Sequence, residues 1–183
     1  MLVQRFAIFA QPVLDLPLVR RTRRNHGLEH ATIHILSQRI SNLRMAGRSS
    51  DSGFVLLGDA PTSEIEAAAH EALRRMRAGE HNLAVHPNCG TNLLTTSVMA
   101  TGATLIGLTG ASRRDIWNRL PTVLVLVMIA LIVGQPIGMS LQRYITTDGD
   151  PADLEILRIT RSEVHTPLSS TPLTVHRVVT HSS

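Results

Sequence analysis

The amino-acid sequence predicts an α+β protein: a small α-β-α-β domain joined to a two-helix transmembrane hairpin, with a short β-rich C-terminal tail. Two stretches of about twenty residues, 93–111 and 120–141, contain no charged residue and predict the hairpin. Helix-like and strand-like patterns precede them, and two alternating segments follow. The predicted parts are an interfacial segment (1–25), a His-rich α+β domain (26–91), the hairpin (92–142) and the tail (143–183).

Composition limits the classes of partner. The formal charge is +4, much of it in arginine clusters, and aromatic residues make up only 3% of the chain. Single-stranded nucleic acids need aromatic stacking platforms, so no specific nucleic-acid binding is expected. Arginine clusters suit the anionic headgroups of a lipid bilayer. The lone cysteine, Cys89, excludes an internal disulfide.

The N-terminal segment is apolar but is interrupted by Pro12, Asp15 and Pro17. No small-residue cleavage site follows it, so we do not interpret it as a signal peptide. We expect a short helix lying in the membrane interface, immediately before the arginine cluster at 20–24.

The first element of the His-rich domain is a helix predicted over residues 26–45, with Gly47 as its C-terminal cap. A loop is predicted over 47–53, because this segment is rich in glycine and serine. The apolar residues Phe54–Leu57 predict a short strand.

A second helix is predicted from a capping box, in which Ser63 is the N-cap and Glu66 follows three residues later. Gly79 is expected to end this helix. The segment Asn82–Val85 predicts another strand, and we expect it to pair with the first strand across this helix.

The hairpin has small residues on its first helix, since Ala103, Gly107 and Ala111 recur at every fourth position. Such a stripe allows close helix packing in lipid, against another membrane protein or another copy of the chain. Pro121 fits the first turn of the second helix. A buried hairpin in a soluble protein is the alternative, but so small a domain could hardly bury two such segments.

A hairpin leaves the N-terminal domain and the tail on the same side of the membrane. The three arginines of loop 111–119 would place that loop in the cytoplasm by the positive-inside rule. The larger arginine clusters and the lack of an export signal instead favour a cytoplasmic N-terminal domain, and we expect this. In the tail, segments 154–159 and 173–179 alternate and predict a strand pair.

One candidate site is the HxxEH pattern of His26, Glu29 and His30. On a helix the two histidines lie one turn apart on one side and can bind one zinc ion, while Glu29 can act as a general base. A helical wheel places Glu29 with the apolar residues Ile33 and Leu36, where a carboxylate is costly unless it is paired. The alternative is that Glu29 forms a hydrogen bond with a neighbouring histidine or arginine and that no metal is bound.

A second cluster precedes the first apolar helix. His86 and Cys89 are three residues apart in a turn, a spacing that suits two ligands of one metal ion. A purely structural turn is the alternative. His34 and His81 are possible further ligands, whereas His70 suits a solvated helix face. Three histidines of the tail have no convergent partners, namely His165, His176 and His181.

Two motifs, HGLEHATIHIL and HPNCGTN, resemble an uncharacterised family of bacterial membrane proteins that contain a domain of unknown function. The resemblance covers roughly residues 25 to 160 and implies a bacterial membrane protein, without implying an activity. With two predicted spans, we expect a multi-pass protein of the bacterial inner membrane. A local similarity to the inverted zinc metallopeptidases rests on HxxEH alone. Those enzymes take a third ligand from a downstream glutamate. The corresponding region here is the first apolar stretch, which contains no acidic residue, so the third ligand would have to be His86, Cys89 or an earlier glutamate such as Glu71 or Glu80.

These observations leave two main functions. One is a membrane-anchored, zinc-dependent, peptidase-like hydrolase at the bilayer surface, with Glu29 as base and His26, His30, His86 and Cys89 as ligands. The other is a non-catalytic subunit of a respiratory or photosynthetic membrane complex, which the small-residue helix favours. A lipid- or nucleic-acid-binding adaptor that acts through the arginine clusters is a third option.

Overall fold

The computed structural model describes residues 2–165 and 172–183, and within them the mixed α+β class is confirmed. The helices are α1 (Leu2–Leu14), α2 (Pro17–Arg39), α3 (Thr62–Arg77), α4 (Gly90–Leu108) and α5 (Ile116–Leu141). The strands are β1 (Ala46–Ser50), β2 (Gly53–Leu57), β3 (Glu155–Val164) and β4 (Leu173–His181). Two compact units result, one of them Pro87–Gln142 and the other Leu2–His86 with Arg143–Ser183.

The larger unit contains an antiparallel sheet in the order β1-β2-β4-β3. Val55 in the centre of β2 pairs with Arg48 on β1 and with Arg177 on β4. The strand pair predicted in the C-terminal tail is therefore confirmed, and it completes a sheet that the N-terminal half begins.

A hydrophobic core lies between the sheet and helices α2 and α3. Phe54 and Leu56 alternate along β2 and are both buried, as the strand period requires. Leu28 and Leu36 on α2 and Ile65 on α3 face them and are fully buried. Each such side chain contributes about 1.5–3 kcal/mol on burial, so this core holds α2 in a defined orientation.

The helix predicted over residues 26–45 is α2, and both of its ends differ from the prediction. α2 begins at Pro17, whose fixed φ suits the first turn, and it ends at Arg39. The arginine cluster at 20–24 therefore lies on the same helix as the histidines. Gly47 does not cap α2 but lies on β1, so of the loop predicted over 47–53 only the turn at Asp51 and Ser52 is confirmed. The serines there pair with β2 as an edge strand, which their low strand propensity does not reveal.

The predicted capping box is also wrong, because α3 begins at Thr62 after Pro61 and has no side-chain cap. Gly79 follows the end of α3 with a φ of +97°, as predicted. Residues His81–Ala84 form a 3-10 turn and not the predicted strand. Both edges of β2 are occupied by β1 and β4, so no edge of β2 is left for pairing.

The smaller unit is an antiparallel hairpin of α4 and α5. The helices approach closely at glycines: a Cβ on Gly107 would lie 2.8 Å from Val123, and one on Gly134 would lie 3.0 Å from Thr96. Gly107 of the predicted small-residue stripe therefore faces α5. α5 begins before its predicted start, so Pro121 lies in its second turn and not its first.

Among the described residues, Ile116–Thr146 is the one helical segment long and apolar enough to cross a membrane by length and composition. α4 does not meet the same criterion. The structure thus supports a helical hairpin with one candidate span.

Candidate metal centre

The residues around the HxxEH motif are held by contacts with other parts of the larger unit. Asn25 donates from Nδ2 to the Ser50 carbonyl oxygen at 2.9 Å and accepts from the Thr180 hydroxyl at 2.6 Å. A Cβ on Gly27 would lie 2.2 Å from the Asp148 carbonyl oxygen, so the chain after α5 passes directly against α2 here. The backbone that carries the histidines is therefore fixed on both sides of His26.

His26 and His30 are both oriented by backbone carbonyl groups. Nδ1 of His26 lies 2.9 Å from the Thr146 oxygen, and Nδ1 of His30 lies 2.8 Å from the Ala84 oxygen. A neutral imidazole that donates from Nδ1 keeps its lone pair on Nε2, which is the arrangement typical of zinc-binding histidines. The two rings lie 4.4 Å apart between centroids, with 65° between their planes.

His86 lies beside this pair. Its ring centroid is 6.2 Å from that of His30. Rings that share one tetrahedral zinc ion have centroids roughly 5 Å apart, since each Zn–N bond is about 2 Å. Burial lowers the pKa of His86, and the charges of His30 and His34 lower it further. The neutral imidazole, which is the form that binds metals, is therefore favoured.

Glu29 faces the sheet and is only 4% exposed, in agreement with its place on the apolar side of the helical wheel. The Ser49 hydroxyl donates a hydrogen bond to Glu29 Oε2, and a Cβ on Gly47 would lie 2.1 Å from Oε1. Burial raises the pKa of the Glu29 carboxyl, while the Ser49 hydrogen bond and the charge of His26 act in the opposite direction. A carboxyl with a raised pKa accepts a proton more readily than an ordinary glutamate.

The remaining candidate ligands are placed differently. His34 is half-buried, with Nε2 at 3.1 Å from Nε2 of Gln38. His81 is exposed and, with Arg143, lines a polar cavity of about 280 Å³ in the same unit. Cys89 is buried, directly precedes α4 and belongs to the hairpin unit. Its role as a ligand stays a prediction from its spacing to His86.

Sequence reasoning did not identify the groups that orient the site. Ser49 carries no local signal, and the carbonyl oxygens of Ala84 and Thr146 carry no residue-type signal at all. Gly27, inside the motif, was the one available indication of a close backbone approach. Of the histidines set aside, His176 is buried in β4, and its Nε2 lies 3.2 Å from the Thr62 hydroxyl.

Comparison with known proteins places these features in a family. A family model described as a domain of unknown function (DUF6391) matches residues 21–159, which is more than half of the chain. An uncharacterized protein of Picosynechococcus sp. is 35% identical over 89 residues, which are 44% of this chain and 43% of that relative. The chain thus covers less than half of that relative's length. No solved structure matches the chain. The resemblance to an uncharacterised family is confirmed.

Proposed function

We propose that this chain, which belongs to the DUF6391 family of unknown function, is a membrane-anchored metal-binding protein in which His26, His30 and His86 hold a zinc ion. The observation that carries the proposal is the pair of Nδ1 contacts to the Thr146 and Ala84 carbonyl oxygens. Each contact sets the tautomer and leaves Nε2 as a ligand atom. Zinc suits imidazole ligands and tetrahedral geometry.

A site with three protein ligands keeps a fourth position for water, the arrangement of catalytic zinc sites. Cys89 is the candidate for a further ligand, because only two residues separate it from His86. A closed site of four protein ligands would instead be structural. Cys89 therefore decides between the two kinds of site.

The activity we propose is peptidase-like hydrolysis. A zinc ion held by His26, His30 and His86 would activate a water molecule for attack on the substrate carbonyl. Glu29 would act as the base that takes up the proton of this water and returns it to the leaving amine. The raised pKa of the buried Glu29 carboxyl supports this role. His34 and His81 lie outside the proposed ligand set and are candidates for substrate contacts near the metal.

The membrane anchor is the α4–α5 hairpin, with α5 as the principal span. Large apolar side chains of α5, such as Leu124 and Ile132, are exposed along the helix and suit acyl chains. We propose that the chain is a multi-pass protein of the bacterial inner membrane with its larger unit in the cytoplasm. The arginine clusters of that unit support this orientation, whereas the three arginines of loop 111–119 act against it under the positive-inside rule.

The second candidate is a non-catalytic subunit of a membrane complex, respiratory or photosynthetic. α4 favours it, because Leu94, Leu105 and Ile106 are exposed although α4 is not apolar enough to meet the criterion for a span. Such a helix suits contact with a partner helix. Stoichiometric co-purification with another membrane protein in mild detergent would support this candidate, and a monomeric chain would argue against it.

Elemental analysis of the detergent-purified protein tests the metal site. We expect about one zinc per chain in the wild type and in the control His70→Ala, which changes an exposed histidine of α3. His26→Ala should lose most of the metal. Reduced zinc in Cys89→Ser would place Cys89 in the ligand set, and unchanged zinc would remove it. A wild-type chain without metal would overturn the proposal.

A further inference from the structure

α1 exposes an apolar stripe that no described residue covers. Phe6, Phe9 and Val13 follow one another at spacings of three and four, which places them on one side of the helix. They are 57%, 84% and 57% exposed. At 13 residues α1 is about 20 Å long, too short to cross a bilayer. A helix of this kind is suited to lie along a membrane surface.

The segment that carries this stripe is strongly basic. Residues 2–25 contain five arginines and one acidic residue: Arg5, Arg20, Arg21, Arg23, Arg24 and Asp15. This excess of positive charge complements an anionic surface.

Of the four arginines at 20–24, two have partners within the described part of the chain and two do not. Arg23 donates to the Thr147 carbonyl oxygen at 3.2 Å, and Arg24 pairs with Asp153 at 2.8 Å. The side chains of Arg20 and Arg21 form no hydrogen bond or ion pair with any residue in 2–165 or 172–183. A guanidinium group without an internal partner can pair with an external anion such as a headgroup phosphate.

We propose that α1 and the side chains of Arg20 and Arg21 form a binding surface for an anionic lipid bilayer. The stripe of Phe6, Phe9 and Val13 enters the boundary between headgroups and acyl chains, while the two guanidinium groups bind headgroup phosphates. This surface is separate from the hairpin anchor and does not depend on the metal. Because Arg21 and His26 are five residues apart on α2, His26 lies about 8 Å along the helix from Arg21.

Brominated-lipid quenching of a single tryptophan tests the proposal in the full chain. The reporter combines Phe9→Trp with Trp117→Phe, so that residue 9 carries the single tryptophan. The protein is reconstituted into vesicles of brominated phosphatidylcholine, or of an equimolar mixture with phosphatidylglycerol, at low and high salt. Arg20→Ala/Arg21→Ala is compared in the same reporter with Arg48→Ala/Arg74→Ala, which removes two exposed arginines elsewhere in the unit.

We expect strong quenching in the anionic vesicles, weaker quenching in pure phosphatidylcholine, and a decrease at high salt. Arg20→Ala/Arg21→Ala should weaken the association of α1 with the membrane roughly tenfold or more, and the control pair should not. Three results would overturn the proposal: no quenching in either vesicle, equal quenching that does not depend on Arg20 and Arg21, or cross-linking of residue 9 between two copies. Zinc content is measured in parallel, and loss of membrane contact without loss of zinc separates this surface from the metal site.

Discussion

Nδ1 of His30 lies 2.8 Å from the carbonyl oxygen of Ala84, so a 3-10 turn that follows α3 orients a side chain on α2. His26 is held in the same manner by Thr146, beyond the end of α5. Two imidazoles on one helix thus receive their orientation from two distant backbone segments. The two rings are held rigidly, because neither ring can turn without losing its hydrogen bond to the backbone.

Glu29→Gln should separate metal binding from catalysis. The amide keeps the shape and the hydrogen bond with Ser49 but cannot take a proton from water. We expect zinc content equal to that of the wild type and hydrolysis of a peptide library reduced by about 10²–10⁴-fold, measured by mass spectrometry. Glu66→Gln, at an exposed position of α3, is the control. Full activity in Glu29→Gln would rule out the proposed base.

Ser49→Ala should destabilise the larger unit, because Glu29 is buried and would lose its hydrogen-bond donor. The expected loss is about 1–3 kcal/mol in the free energy of unfolding, measured by denaturant titration in detergent. Ser63→Ala, at an exposed position of α3, should change it by no more than about 0.5 kcal/mol. Equal effects of the two substitutions would show that the Ser49–Glu29 contact contributes nothing.

Two glycine substitutions test the packing of the hairpin. A Cβ on Gly138 would lie 2.0 Å from Asn92 Oδ1 and 2.9 Å from Asn92 Cα, whereas one on Gly102 meets nothing within 4 Å. Gly138→Ala should therefore cost about 1–3 kcal/mol. Gly102→Ala should be neutral or stabilising by up to about 1 kcal/mol, since alanine favours helix. Thermal unfolding of both in one detergent decides the point, and a Gly138→Ala chain as stable as Gly102→Ala would contradict the observed close approach.

Acid should destabilise the sheet through His176. Burial lowers the pKa of this histidine, and the charge of Arg161 lowers it further, while Asp59 acts in the opposite direction. The unfolded chain, with a histidine pKa of about 6.5, then binds the proton more readily than the folded chain. The stabilising contribution is complete above that pH and is lost as the pH falls through the lower folded value.

The melting temperature of His176→Gln should accordingly fall less than that of the wild type between neutral pH and pH 5. His70→Gln, which changes an exposed histidine, is the matched control. Parallel pH curves for the wild type and His176→Gln would show that His176 is not responsible for the acid sensitivity.

Several elements were predictable because their signals are local. The strand at Phe54–Leu57 is a short run of apolar residues, Gly79 ends α3 with a positive φ, and the apolar stretch of α5 is evident from composition alone. The strand predicted over 82–85 was wrong, because a segment of four mostly apolar residues can form a short turn as well as a strand. The sheet edge that would decide between them is occupied by residues from the distant tail.

The sequence by itself determined the family, the α+β class, and the residues that lie together on α2, since HxxEH spacing and helical period set which side chains share a side. Only the tertiary structure decided how those side chains point. Their partners are the backbone oxygens of Ala84 and Thr146 and the hydroxyl of Ser49, up to 120 residues away. A backbone carbonyl has no residue identity, so its role emerges only when the folded chain brings it to the histidine.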